Sequence, residues 1–248
     1  MKTSGNTILI TGGTSGIGLG LALRFQRAGN RVIVAGRRKE LLDSITAEHE
    51  GIESLVLDVT DPASIAHACA TAVGAFPELN VLINNAGIML PENLTDPASL
   101  QVAENTVATN LLGPVRMVHA LLPQLRAQDE ATVLNVSSGL AFVPLPLTAT
   151  YNATKAAIHS YSESLRVQLA GTSVQVIELV PPAVRTTLMG QQDSETAMPL
   201  EDYLDETLTL LDSEPDAKEI LVEKVKPLRH AETNGSYDSV LAALTSSH

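Results

Sequence analysis

Strand-length apolar runs alternate with helical segments along this chain, and this alternation constrains its fold more than any other feature. The runs are rich in Val, Ile and Leu and lie at 7–10, 31–35, 54–57, 81–83, 132–136 and 174–180. Their apolar residues are continuous, which is typical of strands buried on both faces of a parallel sheet. The segments between them have the periodicity of amphipathic helices, at 17–28, 39–49, 62–75, 100–126 and 151–170.

This order predicts an α/β fold of the doubly wound, Rossmann type, with about six parallel strands in the order 3-2-1-4-5-6 flanked by helices. Asp61-Pro62 is a typical helix start and Gly29-Asn30 a typical helix end. The sequence contains no repeat and no Pro- or Ser-rich linker, so we expect residues 1–248 to form a single domain.

The pattern changes after Val180. A polar stretch of small residues predicts a loop at about 187–200, which we expect to contact the substrate. The chain beyond it is helix-like at 200–211, 217–230 and 237–244, so that a helical tail is predicted over about 216–244. Leu221, Val225 and Leu228 would share one face of the second of these helices.

Composition excludes several classes of partner. The net charge of −12 disfavours attraction to nucleic acid or to anionic membranes. No export signal is visible after Met1, no apolar run approaches the ~18 residues of a membrane span, and the single cysteine, Cys69, fits a reducing compartment. We therefore expect a cytoplasmic protein. Aromatic residues make up only 3% of the chain, which predicts an aliphatic core and an aliphatic pocket.

A glycine-rich turn follows the first strand directly and opens a helix. The turn runs Thr11-Gly12-Gly13-Thr14-Ser15-Gly16-Ile17-Gly18. Glycines permit a tight turn and let the backbone approach a pyrophosphate, whose charge is met by the free amides of the helix N-terminus. A merely tight β-α turn is the alternative for this motif taken alone. The turn predicts dinucleotide contacts from Gly12, Thr14, Ser15, Gly16, Ile17 and Gly18.

The end of the second strand indicates which dinucleotide binds. An acidic residue there holds the ribose 2′-hydroxyl of NAD, whereas arginine accommodates the 2′-phosphate of NADP. The strand ends in Gly36-Arg37-Arg38, with two guanidinium groups and no acid. A solvated basic corner is the alternative, and we favour NADP(H).

Three side chains indicate proton transfer to or from a substrate oxygen. Tyr151 and Lys155 are spaced i, i+4 at the start of a predicted helix and would lie on one face. An adjacent ammonium and an oxidised nicotinamide would favour the phenolate of Tyr151 and make it a proton relay. Ser138, just past a strand end, could donate a hydrogen bond to a substrate oxygen. Taken singly, each residue also fits an ordinary structural role.

Several motifs in this order resemble the short-chain dehydrogenase/reductase family between about Ile8 and Thr186. They are the glycine turn, Asn84-Asn85-Ala86-Gly87, Asn110, Ser138, Tyr151-x-x-x-Lys155 and the region of Pro181.

The resemblance implies a role for each motif. Tyr151 would be the general acid/base, Lys155 would lower its pKa and hold the nicotinamide ribose, and Ser138 would position the substrate oxygen. Asn110 would anchor a water molecule in a proton relay to Lys155. Further cofactor contacts would come from Asp58, Val59, Asn85, Ala86, Gly87, Pro181, Val184 and Thr186.

Two departures from the family pattern concern the C-terminal part. Pro182 stands where relatives have glycine, which should stiffen the start of the substrate loop. No typical seventh-strand motif is present, so the tetramer contact built on that strand is in doubt and a dimer through helices 113–126 and 151–170 is favoured. The tail and Pro181-Pro182 are similar to the branch of the family that includes the oxidoreductase of the D-alanyl-teichoic-acid operon.

Other candidate sites have weaker support. The histidines show no metal-ligand spacing with one another or with Cys69, so we expect no metal; they are His49, His67, His119, His159, His230 and His248. Arg185 could bind an anionic substrate or form a salt bridge with Asp193 or Glu195. A set of apolar residues could line a pocket or belong to the core: Ile88, Met89, Leu90, Leu140, Phe142, Leu145, Leu188 and Met189.

Together these features predict hydride transfer between NADPH and a ketone, an aldehyde or an imine, or the reverse reaction from a secondary alcohol. The substrate would be a small, apolar molecule. A regulator that senses NADP(H) without catalysis is the alternative, although such a protein is expected to lose the tyrosine or the lysine. A sugar-nucleotide epimerase would need a different glycine spacing and a longer C-terminal domain.

Overall fold

The computed structural model describes residues 1–246 and contains one parallel sheet of seven strands. Its strands are β1 Thr7–Thr11, β2 Arg31–Gly36, β3 Ile52–Val56, β4 Val81–Asn84, β5 Ala131–Val136, β6 Val174–Leu179 and β7 Glu219–Ile220. They lie in the order β3-β2-β1-β4-β5-β6-β7. The predicted doubly wound fold and the order of its six long strands are confirmed. His248, considered above as a metal ligand, lies outside the described residues.

Helices cover both faces of the sheet. They are α1 Gly16–Arg27, α2 Lys39–Glu48, α3 Pro62–Ala75, α4 Ser99–Val107, α5 Gly113–Arg126, α6 Ala149–Gln168, α7 Leu200–Ser213, α8 Lys226–Arg229 and α9 Tyr237–Ser246. A π-helical stretch, Ala108–Leu112, joins α4 to α5. Asp61 accepts a hydrogen bond from the amide of Ala63 and caps α3, as its position before Pro62 predicted.

The strands bury apolar side chains on both faces because two helical layers pack against them. Ile8 and Val34 face the layer formed by α1, α2 and α7. Leu9 and Val133 face α3, α5 and α6. Continuous runs of Val, Ile and Leu supply apolar side chains to both helical layers. These strands therefore lack the alternation of apolar and polar residues that is typical of a sheet with one exposed face.

The prediction of a helix over 217–230 is wrong in its first half. Glu219 and Ile220 pair with Glu178 and Leu179 of β6 as a short seventh strand. The following chain forms a 3-10 turn, Glu223–Val225, before α8. Pro227 gives the physical reason, because inside a longer helix its ring would clash with a preceding carbonyl and would leave one hydrogen bond unmade. The spacing of the apolar residues alone gives no information about this constraint.

The predicted substrate loop, 187–200, contains a 3-10 stretch at Leu188–Asp193 and joins β6 to α7. Met189 has a φ of 55°, in the left-handed region that side chains other than glycine rarely adopt. A parallel bridge between Val184 and Met198 ties the two ends of the loop together.

Within the described residues, no helix combines the length and the apolar character needed to cross a bilayer.

Arg229 anchors the tail to the sheet, and its removal should destabilise the fold. Its guanidinium donates to both carboxylate oxygens of Glu219, at 2.7 and 2.9 Å, and lies 4.4 Å from the ring centroid of Phe142. We predict that Arg229→Ala lowers the free energy of unfolding by about 2 kcal/mol and Tm by about 4–8 °C, as measured by calorimetry. Lys226→Ala is the control, because its ion pair with Glu223 is exposed and contributes little. Equal effects of both substitutions would contradict this role of Arg229.

Candidate active site

A cleft of about 460 Å³ runs along the carboxyl ends of β1, β4, β5 and β6. One end is lined by the glycine turn and by Arg37 and Arg38, and the other by Ser138 and Tyr151. Most of the predicted cofactor residues line it: Gly12, Thr14, Ser15, Gly16, Ile17, Arg37, Arg38, Val59, Asn85, Ala86, Gly87, Tyr151, Lys155, Pro181, Val184 and Thr186. Parallel α/β sheets bind their ligands at this edge, where the direction of winding changes.

The glycine turn lies against the loop that follows β4. Gly12 has a φ of +65°, and a Cβ atom there would lie 2.8 Å from the Cα of Ala86. Thr11 Oγ1 accepts hydrogen bonds from the amides of Asn85 and Ala86, both at 3.1 Å. Gly18 lies behind the cleft rather than on its surface, and a Cβ atom there would come within 2.4 Å of Asn85 Nδ2. The absence of a side chain at Gly18 therefore allows α1 to pack against the turn.

The first turn of α1 has the features of an anion site. The helix begins at Gly16, its first turn carries no acidic residue, and the side chain of the N-cap, Ser15, does not cap it. The first amides of the helix therefore remain available to a ligand, and the helix dipole favours a negative charge there.

Arg37 and Arg38 are exposed at the end of β2 and line the cleft. Among the described residues, neither forms a salt bridge within 4.0 Å, so both guanidiniums can bind an external anion. Asp58 does not line the cleft, because its carboxylate accepts hydrogen bonds from the amide and hydroxyl of Thr60. Burial alone would raise the pKa of Asp58, but these hydrogen bonds and the charge of Arg37 lower it. Val59 lines the cleft instead.

Ser138, Tyr151 and Lys155 meet at the other end of the cleft, as predicted. All three are buried. Tyr151 and Lys155 lie one turn apart on α6, with Lys155 Nζ 5.5 Å from the tyrosine ring centroid. Nζ donates to the carbonyl of Val136 at 2.7 Å, and this bond fixes the ammonium beside the end of β5.

Burial shifts the pKa values of two side chains at this end of the cleft. Burial raises the pKa of Tyr151 to about 12, although a hydrogen bond with Ser138 opposes the shift. Burial lowers the pKa of Lys155 to about 8, opposed by the charge of Glu178. Desolvation therefore dominates the pKa of Tyr151 in the protein without a cofactor. The expected lowering of this pKa includes the charge of an oxidised nicotinamide and stays a prediction.

Asn110 lies in the π-helical stretch and is buried behind the cleft rather than lining it. Its Oδ1 accepts from the amide of Ile88 at 2.9 Å and its Nδ2 donates to the carbonyl of Ile88 at 2.8 Å. The side chain therefore holds the loop after β4 in place. Single-turn π-helical insertions are common at functional sites, since they redirect one residue of a helix.

The tyrosine end of the cleft is apolar. Of the apolar candidates, five line it, namely Ile88, Met89, Leu140, Leu145 and Leu188, whereas Leu90, Phe142 and Met189 do not. Sequence reasoning missed Leu228 and Leu244, which close this end from α8 and α9. The helical periodicity at 237–244 predicted α9, but nothing in it indicated that the helix returns to the site.

Arg185 also departs from both expectations. Its guanidinium donates to the main-chain carbonyls of Ser194 and Glu195, at 2.8 and 3.4 Å, and does not line the cleft. It therefore stabilises the substrate loop and offers no charge to a ligand.

One cluster of potential metal ligands lies outside the cleft. Ligand atoms of His159, Glu178 and Glu219 lie within 4.8 Å of one another. They come from α6, β6 and β7, so sequence spacing could not bring them together. The carboxylate of Glu219 already binds the guanidinium of Arg229.

A family model described as short chain dehydrogenase matches residues 6–197. The chain belongs to this family. The oxidoreductase DltE of Bacillus subtilis is 39% identical to it over 96% of both chains, which confirms the predicted likeness to that branch. The sulfoacetaldehyde reductase of Chromohalobacter salexigens is 36% identical over 72% of both chains.

Solved structures of the short-chain dehydrogenase family have the same fold. A short chain dehydrogenase from Burkholderia cenocepacia, crystallised in complex with NADP, superposes with a TM-score of 0.83 at 25% identity. The match covers 98% of this chain and 99% of that one. This similarity supports the cofactor prediction made from Arg37 and Arg38.

The contact between the glycine turn and Ala86 leads to a test of the cleft. We predict that Gly12→Ala raises the Kd for NADPH at least about tenfold, because the new Cβ forces the turn away from Ala86 and requires a left-handed backbone. Titration of NADPH fluorescence measures the Kd. Gly74→Ala in α3 is the control, since its Cβ meets open space and alanine favours a helix. Unchanged NADPH affinity in Gly12→Ala would refute the assignment of the turn.

Proposed function

We propose that this protein is an NADP(H)-dependent oxidoreductase that transfers a hydride between NADPH and the carbonyl carbon of a ketone or aldehyde, or the C=N carbon of an imine, or catalyses the reverse reaction. The observation that carries the proposal is one continuous cleft, with basic side chains and free helix amides at one end and a buried tyrosine, serine and lysine at the other. The glycine turn, Arg37 and Arg38 form the first end, and Ser138, Tyr151 and Lys155 form the second.

The residues present fit the cofactor. Gly12, Ser15 and Gly16 line the cleft, and no side chain caps the first amides of α1, so the turn offers backbone donors to a pyrophosphate. Arg37 and Arg38 would hold the 2′-phosphate, and Val59 would lie against the adenine. Lys155 would hold the nicotinamide ribose, with Val184 and Thr186 beside the carboxamide. The cofactor supplies the hydride when it is bound.

The side chains of the apolar end would donate the proton and exclude water from the site. Ser138 and Tyr151 would both donate hydrogen bonds to the substrate oxygen and stabilise the negative charge that develops on it. Tyr151 then gives its proton to that oxygen, for which its raised pKa is suitable in the reductive direction. The charge of Lys155 stabilises the phenolate that forms. Leu140, Leu145 and Leu244 keep water from the site.

We further propose that the substrate is uncharged and apolar. The cationic side chains that line the cleft within residues 1–246 are Arg37 and Arg38, at the far end, and Lys155. The Lys155 ammonium is bound by Val136, and Arg185 is bound by its own loop. A sulfonate or carboxylate would therefore enter the apolar end without a partner, at a high desolvation cost. This distinguishes the site from one built for an anion such as sulfoacetaldehyde.

Assembly and location belong to the same proposal. A homodimer through α5 and α6 would cover Val167, which is 77% exposed on α6. A short seventh strand, β7, is present, so the expected absence of this strand no longer counts against a tetramer. The single cysteine, Cys69, is buried and free, which fits a protein of the cytoplasm.

We predict that Tyr151→Phe lowers kcat by about 10²–10⁴-fold, since it removes the general acid and little volume. NADPH oxidation is followed spectrophotometrically against aliphatic ketones, aldehydes and imines, and against carboxylate- and sulfonate-bearing carbonyls. The uncharged compounds should give the higher kcat/KM. The Kd for NADPH should stay within about twofold.

Tyr161→Phe is the matched control, because Tyr161 lies on the same helix and does not line the cleft. Its kcat should equal that of the wild type. Turnover retained in Tyr151→Phe would contradict the catalytic assignment. NADPH binding without turnover of any carbonyl would favour the sensing regulator instead.

The arginine pair gives a separate test of cofactor choice. We predict that Arg37→Ala combined with Arg38→Ala raises the Kd for NADPH by about 10–100-fold, because charge-assisted hydrogen bonds to the 2′-phosphate are lost. The Kd for NADH should not change. Lys39→Ala is the control, since Lys39 pairs with Asp43 on the exposed face of α2. A wild-type kcat/KM that is higher with NADH than with NADPH would show the argument from Arg37 and Arg38 to be wrong.

A further inference from the structure

A row of polar side chains crosses the sheet beneath α6, the helix that carries Tyr151 and Lys155. Asn84, Asn135, Glu178 and Glu219 are register partners on β4, β5, β6 and β7, so their side chains lie on the same face. The first three are buried, at 3%, 0% and 0% exposure. Polar groups are costly at such positions unless each has a specific partner.

Helix α6 supplies the partners for this row. Asn84 Nδ2 donates to Asn135 Oδ1 at 2.9 Å, and Asn135 Nδ2 donates to Ser162 Oγ at 2.9 Å. His159 Nδ1 lies 2.8 Å from Glu178 Oε2. Because hydrogen bonds are directional, these contacts fix the rotation of α6 about its axis, which apolar packing alone would leave less defined.

Glu178 is the most deeply buried charge in the row. Its Oε1 has no hydrogen-bond partner among the described residues. The charged groups around it come from several elements: His159 and Glu163 on α6, Glu219 on β7, and Arg229 on α8. Arg229 donates to both oxygens of Glu219, so a guanidinium already neutralises this carboxylate and no metal ion is needed for that purpose.

Lys155 lies near enough to this carboxylate to feel its charge, although no ion pair within 4.0 Å joins the two side chains. It precedes His159 by one turn of α6, and its Nζ is bound to the carbonyl of Val136. Val136 is the register partner of Leu179, the residue that follows Glu178. The buried carboxylate and the buried ammonium therefore occupy adjacent positions between α6 and the sheet.

We propose that Glu178 is a positioning residue for Lys155: held by His159 against α6, its buried carboxylate supplies the negative charge that keeps the lysine protonated where water is excluded. Lys155 is part of the proposed function, so the catalytic consequence of this inference rests on that function. The electrostatic coupling between the two side chains does not.

The directions of the pKa shifts agree with this arrangement. Burial lowers the pKa of Lys155 to about 8, and the charge of Glu178 acts against that shift. The hydrogen bond from His159 to Glu178 raises the pKa of His159, with burial opposing it. Loss of the Glu178 charge should therefore lower the pKa of Lys155 further, so that less of it is protonated near pH 8.

Nuclear magnetic resonance tests the coupling directly. The protein is labelled with [¹³C-ε]lysine, and the signal of Lys155, one of six lysines, is assigned by its loss in Lys155→Arg. We expect the wild-type signal to titrate near pH 8, and the Glu178→Gln signal to titrate about one pH unit lower. The glutamine oxygen can still accept from His159 Nδ1–H, so this variant keeps the shape and the hydrogen bond and loses the charge.

Glu163→Gln is the matched control, since Glu163 also faces His159 but is exposed and farther away, at 3.9 Å from Nε2. Its Lys155 signal should titrate as in the wild type. An unchanged titration in Glu178→Gln, or an equal change in both variants, would overturn the proposal. If Glu178→Gln fails to fold, Glu178→Asp replaces it: the withdrawn carboxylate should move the titration in the same direction, and a wild-type titration would overturn the proposal.

A second measurement separates this inference from the proposed function. With the carbonyl compound turned over fastest in the screen, the upper limb of the kcat–pH profile should move to lower pH in Glu178→Gln while KM is unchanged. A limb at the wild-type position would overturn the positioning role. The resonance titration needs neither substrate nor cofactor, so it tests the coupling even if every carbonyl compound fails as a substrate.

Discussion

The contact between the glycine turn after β1 and the loop after β4 shapes the whole candidate site. Gly12 and Ala86 approach so closely that no side chain fits between them, and Thr11 and Asn85 join the two loops by hydrogen bonds. This contact lies where the winding of the sheet reverses, so the loops diverge on either side of it and leave the cleft open. The end lined by Arg37 and Arg38 and the end lined by Ser138 and Tyr151 are thereby placed on one continuous surface.

Burial then determines what the apolar end can do. Desolvation keeps Tyr151 protonated and makes the charged state of Lys155 costly. A lysine in such a place needs fixed partners: the carbonyl of Val136 accepts its hydrogen bond, and the buried Glu178 is the carboxylate that we propose keeps it charged. The tail contributes as well, since Arg229 neutralises Glu219, and Leu228 and Leu244 cover the cleft. The C-terminal part of the chain is thus integral to the site.

The sequence was sufficient wherever function depends on local pattern. Continuous apolar runs predicted the six long strands, and the spacing of Tyr151 and Lys155 placed them on one face of α6. It was insufficient wherever function depends on contacts between distant elements. Glu178, His159 and Glu219 come together only through strand register, and Leu244 reaches the cleft only because the tail folds back. Pro227 did indicate locally that a helix over 217–230 would be interrupted, but the helical spacing of the neighbouring apolar residues outweighed this indication.

The central claim is that one cleft binds NADP(H) in an orientation that brings the nicotinamide to Tyr151. A crystal structure of the protein with NADP⁺ tests it most directly. The account predicts the 2′-phosphate within hydrogen-bonding distance of Arg37 or Arg38, the pyrophosphate on the amides of the glycine turn, and the nicotinamide ring beside Tyr151 and Lys155. A dinucleotide bound outside the cleft, or one with its nicotinamide turned away from Tyr151, would contradict it.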